Sequence, residues 1–61
     1  MSNARKVDKA VRLAIEIRRM ARERFITRWC ARNWLDRLAL RMDREGEHDA
    51  HERISVIYMR T

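Results

Sequence analysis

Apolar residues recur at helical spacing along most of the chain. Taken at about 100° per residue, Val7, Ala10, Val11, Ala14, Ile17, Ala21 and Phe25 fall on one stripe between Ala4 and Thr27. Arg5, Lys9, Arg12, Glu16, Arg19 and Glu23 lie opposite. This period predicts an amphipathic helix. Asn3 is placed to cap it, because its side-chain oxygen can accept from amides of the first turn. Asp8 precedes Arg12, and Arg19 precedes Glu23, at i,i+4, each pair adding about a few tenths of a kcal/mol. Ala10, Ala14 and Ala21 would let another helix approach closely.

A second stripe follows, formed by Ala31, Trp34, Leu35, Leu38 and Met42. On one straight helix it would be rotated by about 100° from the first. The helix therefore kinks or stops near residues 27–33, or it runs on slightly bent with a different neighbour on each stripe. Asn33 followed by Asp36 is a capping signal that fits a restart at Asn33. Gly46 is the clear stop, lying beyond Arg41 and Arg44 where a left-handed C-terminal cap belongs. Asp49-x-x-Glu52 resembles a capping box, and Ala50, Ile54, Ile57 and Tyr58 continue at helical spacing. The run Ile54-Ser55-Val56-Ile57-Tyr58 also has strand composition. A lone strand has no partner in this chain, so a short helix is expected unless two copies pair across a dimer.

These elements predict an all-α fold: a helical hairpin over a single domain, residues 1–61, with its turn at Gly46. Its expected core is Val7, Val11, Ala14, Ile17, Ala21, Phe25, Leu35, Leu38 and Ile54, shared within and between subunits. A chain of 61 residues buries only about 60% of the surface its unfolded form exposes. A homodimer is the simplest remedy.

Composition excludes more than it assigns. With one Gly, no Pro and one Cys, hairpin turns lose their usual punctuation and Cys30 has no partner for an internal disulfide, which suits a cytoplasmic setting. No apolar run approaches the length of about 20 residues that a membrane span requires, and the first residues lack the apolar stretch of a signal peptide. No membrane association is therefore expected.

The charge is divided along the chain. Residues 1–44 hold thirteen Lys+Arg and five Asp+Glu, or +8, while residues 45–61 hold two and four, or −2. The basic block is nearly all Arg, whose planar multidentate donors suit phosphates and protein surfaces alike. No helix-turn-helix signature accompanies it. Direct DNA or RNA binding by a basic two-helix dimer therefore stands second to a protein partner.

Three of the four aromatic residues lie between Phe25 and Trp34. On a helix Trp29 and Trp34 project about 140° apart, so one core cannot hold both. Trp and Arg are enriched in interface hot spots, which makes Arg28, Trp29, Arg32 and Trp34, with Arg12 and Arg19, the candidate partner-binding set. Glu45, Glu47, Asp49 and Glu52 would supply acidic contacts. Catalytic and metal-binding arrangements are missing: Cys30 lies far in sequence from His48 and His51, and His48-x-x-His51 with Asp49 and Glu52 is an incomplete ligand set. No enzyme activity and no cofactor or metal is expected.

The whole pattern resembles a known group. The length, the Arg-rich first helix, the aromatic middle at Arg28-Trp29 and Arg32-Asn33-Trp34, and the helical close are similar to small early proteins of Pseudomonas-type temperate phages, the quorum-sensing anti-activators in particular. These are short dimeric helical proteins that hold a LuxR-type transcriptional activator off its promoters. The resemblance spans most of the chain and implies a host transcriptional regulator as partner. It rests on the pattern as a whole, so no site residue follows from it.

Overall fold

The described residues fold into three helices, α1 (Ala4–Arg22), α2 (Arg28–Arg44) and α3 (His48–Arg60). The computed structural model describes residues 4–61; the Asn3 cap falls outside that range. Of the kink, stop or continuous bend that the sequence left open near residues 27–33, the chain takes the stop: the long N-terminal pattern breaks at residues 23–27, at the leading edge of that window. Thr27, rather than Asn33, restarts the chain. It adopts an extended conformation, and its hydroxyl accepts from the Cys30 amide at 3.0 Å. That bond satisfies one of the orphan donors of α2.

The break itself is a Schellman motif. Arg24 takes φ 65, its amide donates to Ala21 O at 3.1 Å, and the Phe25 amide donates to Met20 O at 2.9 Å. The same pattern ends α2: Gly46 has φ 78, its amide meets Asp43 O at 3.1 Å and the Glu47 amide meets Met42 O at 2.8 Å. Gly46 is a sequence-visible stop because glycine adopts this conformation without steric cost. Arg24 carries no such mark. The third helix begins at His48 with Glu47 in the cap position, so Asp49 lies inside the first turn and not at the cap of a box. There it faces the positive end of the helix dipole and pairs with Arg53 at 3.5 Å. Residues 54–59 are helical.

The core lies where the three apolar stripes meet. It comprises Ala10, Ala14 and Ile17 of α1, Ala31, Leu35, Ala39 and Met42 of α2, and Ala50 and Ile54 of α3. Alanines on all three helices let the backbones approach closely, with Leu35 and Ile54 as the largest side chains wholly inside. Val7, Ala21 and Leu38 pack at its edge, and Val11 is half-buried. Phe25 lies outside the core of the single chain. The Arg24 turn takes it off the α1 stripe, leaving it 76% exposed. A radius of gyration of 11.0 Å is close to the roughly 10.5 Å expected for a folded chain of this length.

Side chains tie α3 to α2: His51 Nδ1 lies 2.8 Å from Ala39 O, an arrangement in which the ring donates to the carbonyl, and His48 Nδ1 lies 3.4 Å from Asp43 Oδ1. At the surface Arg12 pairs with Asp8 at 3.1 Å as the spacing predicted, whereas Arg19 bridges Glu16 in place of Glu23.

Candidate interaction surfaces

The helices distribute the candidate partner-binding residues over separate surfaces. Trp29, on the first turn of α2, is 77% exposed and lines a shallow groove with Arg32, Asn33, Asp36 and Tyr58. The Arg32 guanidinium sits over the Tyr58 ring at 4.7 Å from its centroid. Such a contact contributes about 0.5–1 kcal/mol at an exposed site. It also leaves Arg32 Nε buried without a hydrogen-bond partner, a cost that offsets part of that gain.

Arg28 lies to one side of this groove, in a depression shared with Ala21, Arg24, Phe25, Ile26 and Thr27. The α1–α2 turn thus gathers Arg24, Arg28, Phe25 and Trp29 at one end of the molecule. Phe25 and Trp29 are both largely in solvent there. The C-terminal end of α1 brings Arg22 to the same turn.

Trp34 belongs to a different face. It is 43% exposed and lines a groove between α1 and α2 with Leu13, Ile17, Arg37, Leu38 and Arg41. A second depression continues this groove toward the start of α1, sharing Leu13, Leu38 and Arg41 and adding Lys6, Lys9, Ala10 and Met42. The 140° separation between the two tryptophans therefore becomes two surfaces. Leu13, 49% exposed, is a floor residue of the second that the helical stripe alone did not select.

The acidic candidates also separate. Glu45 sits at the end of the α1–α2 groove, where it pairs with Lys6 and, at 3.2 Å, with Arg41. The hydrogen bond from Lys6 holds its carboxyl below the ordinary glutamate range; desolvation opposes this, and the charges of Lys6 and Arg41 add to the lowering. Asp49 is exposed beside Arg53 near the start of α1. Glu47 is only 9% exposed, which corrects its place in an acidic surface. The tight turn from α2 into α3 makes it both the residue after Gly46 and the cap of the next helix, so it is wedged against the bundle.

Cys30 is half-buried. Among the described residues no group of three or more His, Cys, Asp and Glu side chains is arranged to hold a metal ion, and no helix is long and apolar enough to cross a membrane. No protein-family model, curated protein or solved structure matches the chain.

Proposed function

We propose that the protein is a small non-catalytic regulator that acts by stoichiometric binding of another protein, and that it does so as a homodimer. One observation carries this reading. Among the described residues the core holds four large apolar side chains, Ile17, Leu35, Met42 and Ile54, while eight lie exposed: Leu13, Ile15, Phe25, Trp29, Trp34, Leu40, Val56 and Met59. Single exposed apolar residues are ordinary. Two of the eight, Leu13 and Trp34, share the α1–α2 groove with Arg37 and Arg41, and Trp29 lies beside Arg32; apolar side chains flanked by arginines are the composition of an interface.

The resemblance to quorum-sensing anti-activators supplies the target class, a LuxR-type transcriptional activator in the cytoplasm of a bacterial host, from a phage-encoded source. Occlusion of that activator's DNA-reading surface suffices for inhibition. The test is titration of purified protein into a complex of a LuxR-type activator with its promoter DNA. Release of DNA at a fixed molar ratio supports the reading, and an unchanged complex at large excess overturns the target. Sedimentation at micromolar concentration tests the dimer, which a stable monomer would overturn.

A second reading, direct nucleic-acid binding, is favoured by the α1–α2 turn. Phe25 and Trp29 stand four residues apart among Arg22, Arg24 and Arg28, a combination suited to stacking bases between phosphate contacts. Salt separates the readings. Phosphate binding falls by orders of magnitude between about 50 and 200 mM salt, whereas a complex anchored on apolar side chains changes little.

A further inference from the structure

We propose that the α1–α2 groove binds an acidic amphipathic helix of a partner protein, laid along Leu13, Ile17, Trp34 and Leu38 between two cationic rims. The proposal deepens the protein-binding reading above and rests on it. The groove runs from Lys6 to Ile17 on α1, which is about 16 Å at 1.5 Å per residue, or three helical turns. Its floor is apolar, and two antiparallel helices form its walls. An added helix with anchors at i, i+3 or i+4, and i+7 fits such a floor.

Charge selects the occupant. Lys6 and Lys9 edge the groove on α1, and Arg37 and Arg41 edge it on α2; Glu45 closes one end and already pairs with Lys6 and Arg41, so Lys9 and Arg37 carry the charge offered to an occupant on either side. A helix carrying glutamates on both flanks of its apolar stripe meets a cation on either side. A second copy seated across a two-fold axis would instead place the same four cations against one another, and the chain already carries +6. The chain's own α3 carries two carboxylates and two arginines, so it brings no net negative charge, and its Ala50 and Ile54 are buried in the core with Ile57 packed against it. Nucleic acid would face apolar Leu13 and Leu38 between the rims, where its phosphates gain nothing.

The test uses the full chain and three labelled helical peptides of about 14 residues, read by fluorescence anisotropy at about 150 mM salt. The first places leucines on one stripe with glutamates elsewhere. The second replaces the glutamates by lysines, and the third scrambles the leucines off the stripe. The expected result is micromolar binding of the first, at least about tenfold tighter than the other two. Leu13→Gln and Trp34→Ala each weaken it by about tenfold or more, with the helical circular-dichroism signal retained. The double substitution Lys9→Glu with Arg37→Glu shifts preference toward the lysine peptide.

Equal binding of the three peptides, no binding of the first at about millimolar concentration, or indifference to Leu13→Gln together with the charge reversal overturns the proposal. So does a dimer in sedimentation that Leu13→Gln dissolves, since a second copy would then occupy the groove. Release of promoter DNA by a protein that ignores all three peptides would leave the protein-binding reading standing and remove the groove from it.

Discussion

Arg24 and Gly46 hold the same position in two successive helix ends. Each is the left-handed residue of a Schellman motif, with φ 65 and φ 78, and each is followed by an amide that reaches five residues back. Only one of them is glycine. A non-glycine residue in this region carries a steric cost of about 1–2 kcal/mol. Arg24→Gly is therefore expected to raise stability by about 0.5–1 kcal/mol after the added unfolded-state entropy is subtracted. Gly46→Ala should lower it by about 1 kcal/mol. The added Cβ meets nothing within 4 Å, so backbone strain alone acts. Urea midpoints moving in opposite directions check the pair.

Thr27→Ala should cost about 1 kcal/mol through the lost cap, while Asn33→Ala should change stability by less than about 0.5 kcal/mol. Equal effects in thermal unfolding would place the start of α2 at Asn33.

His51→Ala should cost about 0.5–1.5 kcal/mol, because it removes the bond to Ala39 O that joins α3 to α2. Amide exchange should accelerate in α3 ahead of α1 if the effect is local to that joint.

Ile54→Ala should cost about 2–5 kcal/mol, enough to unfold much of a chain this small. Phe25→Ser, at a side chain 76% exposed, should stay within about 0.5 kcal/mol. The contrast is read directly by circular dichroism at room temperature.

Acidification should weaken the fold through Glu45. Its folded-state carboxyl is held down chiefly by the hydrogen bond from Lys6, so its contribution is present above the unfolded glutamate value near about 4.3. That contribution is lost as pH falls through the lower folded value. Glu45→Gln should flatten the acid limb of a stability–pH profile, and an unchanged limb would mean that the Lys6 pairing contributes nothing to folding.

Much of the fold is legible along the chain because helical period is a local property. Ala14, Ile17, Leu35 and Ile54 repeat at the spacing that faces a core, and all four are buried. Gly46 announces its turn because glycine is the residue that the left-handed conformation favours. The strand-like run at residues 54–58 is helical because β-branched residues keep their place when one face of the helix is covered, as Ile54 is by the bundle.

The remainder depended on tertiary contacts. Nothing in Arg24 as a residue type marks a helix end, so the turn at residues 23–27 and the exposure of Phe25 show only in the folded backbone, where Arg24 takes φ 65. Glu47 reads as a surface carboxylate until two helices close around it. The sequence by itself determined the helices, the Gly46 turn and the separation of Trp29 from Trp34, since these follow from spacing along one chain. The structure decided between the stop and the continuous bend that the rotated stripes left open, and it alone brings Leu13, Trp34 and Leu38 together between cationic rims, because a groove exists only once two helices lie side by side.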